Sequence, residues 1–293
     1  MVKSKSKSKK VANNPQDVAP EEEAFFPYAR YTSIVGVHTS LLIFVALYFP
    51  RMFELADSDQ ASSLDRPQHP FLRAITGLPA VTVGSICLGA CVLQSWWGGW
   101  MRDWLIDYSL KGTEESKKLD RKALDDSKTK VRILYLQDAW LATFGASVVF
   151  HCVAILFGAP LKHYFARTYV LSLLVSILAV FTPAYAYGIP NPYKSEGVVI
   201  RMTWVRLFAE FSIRNPVERA IVYPSVGALL GCWIGVVPIA LDWDRPWQAW
   251  PLTPAYGAIL GFVFASLAAL TVNAITSLAM EDILYERQQE KSQ

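Results

Sequence analysis

Six stretches of this chain, at 31–49, 74–97, 139–159, 168–188, 220–241 and 256–280, contain no Asp, Glu, Lys or Arg. Each is long enough to cross a bilayer as a helix, which takes ~20 residues at ~1.5 Å of rise per residue. One such charge at the middle of a membrane helix costs about 2.5–3.5 kcal/mol, so six clean stretches constrain the fold more than any other feature. The hydrophobic set makes up 53% of the 293 residues and charged residues only 18%, against about a quarter in soluble domains. The sequence predicts an all-α protein, a polytopic transmembrane bundle of about six helices occupying 29–284. Pro183 in the fourth span, and Pro224 and Pro238 in the fifth, mark places for a kink.

The 28 Lys and Arg residues orient the bundle. With the N-terminus in the cytosol, the cytosolic segments carry 6, 9, 5 and 2 of them and the opposite loops 3, 2 and 1, a bias of 22 to 6. The positive-inside rule then puts both termini in the cytosol and the loop joining the last two spans on the lumenal side. Residues 1–28 open on a Lys/Ser run followed by an acidic patch, unlike a secretory signal, and are expected to be a disordered cytosolic tail that brushes anionic lipid. Residues 285–293 are expected to form a second cytosolic tail. Nucleic acid is not an expected partner.

Two cytosolic segments stand out. The loop 101–138 mixes charges of both signs at helical spacing, which suits a solvated helix or a flexible loop. Between spans four and five, Ile200, Trp204, Leu207 and Phe208 recur at helix spacing against Arg201 and Arg206. That pattern predicts a helix lying in the membrane interface with its arginines toward headgroups, or else a docking surface for a partner.

Residues able to carry chemistry are few. There is no Gly-x-Ser-x-Gly, no phosphate-cradling glycine loop with lysine and no His-Glu-x-x-His. Cys87, Cys91, Cys152 and Cys232 lie inside apolar stretches at spacings that suit neither a disulfide framework nor zinc. No catalytic residue, metal site or cofactor is expected. His38 and His151 are ionisable side chains at membrane depth. They are expected to hydrogen-bond a neighbouring helix, with a functional role as the rival reading.

The last two spans are the most ordered part of the sequence. Gly227, Gly231 and Gly235 recur every fourth residue, and Gly257, Gly261 and Ala265 repeat the device in the next span. Between lipid-immersed helices, close backbone approach has to supply the association that hydrophobicity does not. The stripes therefore predict packing surfaces, either for each other or for a partner's helix. Joining them are Pro238, Leu241, Asp242, Trp243, Asp244, Arg245, Pro246, Trp247, Gln248, Trp250 and Pro251. The three tryptophans suit a bilayer interface, where the ring is apolar and the N–H wet. Asp242 and Asp244 either pair with Arg245 to stiffen the loop or, with outside help, hold a divalent cation.

The stretch from Gly231 to Pro251, GCWIGVVPIALDWDRPWQAWP, closely resembles the signature of the PIG-F family. The resemblance is strong over the last third of the chain; elsewhere it extends only to span number and layout. Ala240 departs from the family, which usually has a second proline there. The basic N-terminal tail and long charged loop look more like a fungal member than an animal one. Membership would imply a role in glycosylphosphatidylinositol (GPI) anchor biosynthesis at the endoplasmic reticulum membrane. It would also imply a non-catalytic accessory subunit, partnered by PIG-O-like and PIG-G-like ethanolamine-phosphate transferases, whose lumenal metal-dependent domains do the chemistry. A different reading makes the chain itself a membrane enzyme or lipid-handling protein that acts on a phospholipid or GPI headgroup through the 241–251 loop.

Overall fold

A computed structural model describes residues 27–52, 69–109, 114–160, 164–190, 195–241 and 243–292. Among them helices are joined by turns and no strand occurs. The helices are α1 (Tyr28–Met52), α2 (Pro70–Thr76), α3 (Pro79–Ser109), α4 (Glu114–Leu156), α5 (Phe165–Ser176), α6 (Thr182–Tyr187), α7 (Ser195–Trp204), α8 (Pro216–Ile234) and α9 (Leu252–Ser292). Among the described residues six segments are long and apolar enough to cross a membrane: Tyr28–Met52, Pro79–Ser109, Arg132–Leu156, Phe165–Tyr187, Pro216–Ala240 and Leu252–Glu290. The expected tail 1–28 lies almost wholly outside the described residues.

Proline and glycine punctuate the chain where their chemistry requires it. Short α2 ends at Gly77, and Pro79, with no N–H to leave unsatisfied, opens α3. The second span therefore begins at Pro79, a few residues after the charge-free run does. α5 and α6 form one span through a widened π turn at Ile177–Phe181. That turn directly precedes Pro183, which has no N–H for the carbonyl four residues back. Pro224 is accommodated inside α8, whereas Pro238 opens the 3-10 turn Val237–Ala240 that brings the fifth span to its end.

The fourth span is the centre of the bundle and the third its edge: 78% of the former's most apolar window is buried, against 22% of the latter's. One apolar cluster joins Leu42, Val83, Ile86, Leu171, Leu174, Leu178 and Phe262 from α1, α3, α5, α9 and the π turn. A second, toward the opposite end, gathers Tyr31, Trp97, Met101, Trp104, Val217 and Ile221. Large apolar side chains also cover the outside, Leu141 and Val92 at 71% exposure and Leu156 at 86%, as a lipid-facing surface requires. Several buried hydroxyls are satisfied within their own helices: Thr39, Ser172, Ser176, Ser225 and Ser266 each donate to the carbonyl four residues back.

Much of the charged segment 101–138 is helix, because α3 continues to Ser109 and α4 starts at Glu114 and runs without a break into the third span. The segment after α7 departs from the sequence reading. Leu207 is fully buried, and Arg206 does not point to headgroups but pairs with Glu218 through two contacts, 2.5 and 3.1 Å. Arg206 also donates to the Ser212 carbonyl, while Glu218 accepts from the Arg214 N–H. The ion pair holds the turn after α7 against the start of α8. Helical spacing exposes an amphipathic face but not a carboxylate twelve residues along the chain.

Candidate functional site

α8 and α9 make the most extensive helix contact of the fold. Their small-residue stripes face each other. A Cβ built on Gly231 would collide with the Gly257 carbonyl and lie 2.9 Å from the Gly261 Cα. One on Gly227 would meet the Gly261 carbonyl and the Ala265 methyl, and one on Gly235 would lie 2.5 Å from the Thr253 carbonyl. Every obstacle but the methyl is backbone, which cannot swing aside. The two helices thus form a closed hairpin with no room for a third helix between them.

The connection is built by hydrogen bonds from the inside. Gln248 donates through Nε2 to the carbonyls of Pro238 (2.6 Å) and Leu241 (2.7 Å), while its Oε1 accepts from the Arg245 N–H (2.7 Å). One side chain thereby fixes both limbs of the loop. Trp243 donates its backbone N–H to the Leu241 carbonyl, and Asp244 takes a left-handed conformation (φ 53°), which Asp tolerates better than most residues. The turn Pro246–Gln248 packs on α2, so the first and last loops on this side of the bundle touch.

The three tryptophans divide their roles. Trp243 is 51% exposed and meets Trp247 edge to face at 5.6 Å, an outward aromatic pair. Trp250 turns inward instead: its indole N–H donates to Thr168 Oγ1 at the start of α5 (3.0 Å), and the bond it makes with Pro251 is cis. Three residues past Trp250 α9 is under way, and Tyr256 donates its hydroxyl to the Ala46 carbonyl of α1 (2.7 Å). The hairpin is therefore tied to α5 and to α1. Asp242 lies outside the described residues.

The membrane histidines differ from expectation. His38 is buried and stacks on Trp97 (4.9 Å between centroids) with Phe262 nearby, and its Nε2 has no hydrogen-bond partner. His151 packs edge-on to Phe165 (4.6 Å), with both ring nitrogens unpartnered. Aromatic contact, rather than an interhelical hydrogen bond, surrounds them. A polar contact between helices is made by Gln94, which the sequence reading passed over; its Oε1 accepts from Thr182 Oγ1 (2.9 Å). Cys87 donates to the Val170 carbonyl and all four cysteines are unpaired. Among the described residues no three His, Cys, Asp or Glu side chains gather as metal ligands would. What the site offers is a rigid hairpin, its loop pinned by one glutamine and capped by aromatic rings.

Residues 68–270 match the sequence profile of the GPI biosynthesis protein family Pig-F. The glycosylphosphatidylinositol anchor biosynthesis protein 11 of Yarrowia lipolytica is 33% identical over 132 residues, 45% of this chain and 53% of that protein. Its counterpart of the same name in Candida albicans is 39% identical over 122 residues, 41% of this chain and 42% of that protein. The human GPI ethanolamine phosphate transferase, stabilizing subunit, is 32% identical over 114 residues, 39% of this chain and 48% of that protein. The matched stretch thus spans about half the length of these relatives or less. No solved structure matches the chain. With the profile matching well over half of its length, across the second to fifth of its apolar helices and into the last, this membrane protein belongs to the Pig-F family of GPI biosynthesis proteins.

Proposed function

We propose that this chain is a non-catalytic, stabilising subunit of the ethanolamine-phosphate transferases of GPI-anchor biosynthesis, acting in the endoplasmic reticulum membrane with PIG-O-like and PIG-G-like partners. The observation that carries the reading is its likeness to a human protein named as the stabilising subunit of such a transferase. The chain's own physics is in keeping with it. The hairpin is closely packed and its loop is held by structural hydrogen bonds. Both termini face the cytosol and the 241–251 loop faces the lumen, as the distribution of Lys and Arg favours.

The test is twofold. The tagged chain is expected to co-purify with a transferase from membranes, and transferase abundance is expected to fall when the chain is depleted. Phosphoethanolamine transfer by the purified chain alone would overturn the reading in favour of an enzyme working through the 241–251 loop.

A further inference from the structure

The third and fourth spans meet along a polar seam outside the α8–α9 hairpin. Ser147 and His151 stand one turn apart on α4, and both meet Tyr169 of α5. Ser147 is fully buried and His151 only 7% exposed. The imidazole lies edge to face with Phe165 (4.6 Å between centroids) and with Tyr169 (5.8 Å), and neither of its nitrogens has a hydrogen-bond partner. Ser147 Oγ donates to the Phe144 carbonyl at 2.7 Å and lies 3.4 Å from the Tyr169 hydroxyl oxygen. The second distance is long for two hydroxyls, which settle at about 2.7–2.8 Å, so the protein holds the Tyr169 hydroxyl only weakly.

A neutral imidazole carries one N–H donor and one nitrogen lone pair in either tautomer, and the charged form carries two donors. A neighbouring ring face can take an N–H, but it repels a lone pair, because both are electron-rich. At least one nitrogen of His151 therefore calls for a polar partner that neither helix supplies. That partner is small, because both nitrogens and Ser147 are enclosed. It is also within reach of the bilayer surface. α4 ends at Leu156, five residues beyond His151, and α5 begins at Phe165, four before Tyr169. At ~1.5 Å per residue the seam lies roughly 6–8 Å inside these helix ends. Thr168, next to Tyr169, receives the Trp250 indole N–H, so the seam opens toward the hairpin loop.

We propose that one water molecule is bound between α4 and α5, bridging a ring nitrogen of His151 and the Tyr169 hydroxyl, with Ser147 Oγ as a third partner. A buried water takes two to four polar partners, and it can serve either tautomer because it both donates and accepts. The bridge joins the least buried span of the bundle to the most buried one. The site is independent of whether the chain stabilises a transferase.

Proton-detected solid-state NMR of the full chain in phosphatidylcholine vesicles, with isotope-labelled histidine, tests the proposal. The chain has four histidines, and His151→Phe identifies the His151 signal by its loss. Magnetisation is expected to pass from water protons to the His151 ring, and Tyr169→Phe, which removes the second anchor, is expected to weaken that transfer severalfold. No transfer from water in the wild-type chain would overturn the site. Transfer from the tyrosine hydroxyl proton in its place would mean that the two side chains bond directly, and would overturn the water. Transfer unchanged in Tyr169→Phe would overturn the bridge. Should either variant not fold, radiolytic footprinting of the wild-type chain decides, since hydroxyl radicals formed at a bound water oxidise the side chains around it. Oxidation of His151, which is screened from bulk solvent, supports the site, and its protection overturns it.

Discussion

Gln248 satisfies three backbone groups with one side chain, two carbonyls before it in the loop and the Arg245 N–H. Gln248→Leu keeps the bulk and removes all three bonds. At about 1 kcal/mol for each net hydrogen bond, it is expected to lower the thermal midpoint measurably in detergent, while Gln248→Glu, which keeps only the acceptor, is expected to recover part of the loss. The loop is expected to act by shape rather than by acid–base chemistry. Asp242→Asn should therefore be mild and Trp247→Ala severe in restoring surface GPI-anchored protein to cells lacking this gene, with abundance checked. The reverse order at normal abundance would mean a catalytic or metal-binding acid. The aromatic and proline content of this loop was legible in the sequence. The role of Gln248 was not, because its partners are main-chain groups that no side-chain pattern reveals. The inward turn of Trp250 was hidden for a similar reason, since Thr168 is 82 residues away.

Two elements meet through Arg206 and Glu218, and the carboxylate is almost wholly buried. Glu218→Ala leaves the guanidinium without its counter-charge, and breaking such a buried pair typically costs about 3–5 kcal/mol, a figure the partial exposure of Arg206 lowers. It is expected to destabilise the chain far more than Arg201→Ala on the neighbouring exposed face, as a thermal melt of the two variants would show. At the α8–α9 contact, Gly231→Leu forces a side chain against the Gly257 carbonyl, and overpacking of this kind costs about 1–3 kcal/mol. Reduced abundance and a lowered melting point are expected; a normal melt with leucine at both Gly227 and Gly231 would contradict the backbone contact. The four-residue spacing of the glycines was plain in the sequence, and so was their suitability for packing. Which surface they pack against required the structure, because a bare stripe fits a neighbour in the same chain and a partner's helix equally well.

For the whole molecule, the charge-free stretches revealed the number of spans because one carboxylate or ammonium in hydrocarbon outweighs most other local preferences. They did not reveal the order of burial, with the fourth span central and the third at the edge, since every span is apolar all round and its inner face is chosen by shape. The bias of basic residues predicts that tags at both termini of the chain in sealed microsomes are digested by added protease; a protected tag would reverse the orientation. The closed contact between α8 and α9 also bears on how the molecule meets others. A surface consumed in cis is not available in trans, so the barest backbone of the chain is out of a second protein's reach. Outward on α8 stand Leu230, Trp233 and Ile234, 54%, 70% and 59% exposed. Association along this helix must therefore read the relief of bulky side chains, which differs from one sequence to the next, where a glycine groove would accept almost any helix that came close.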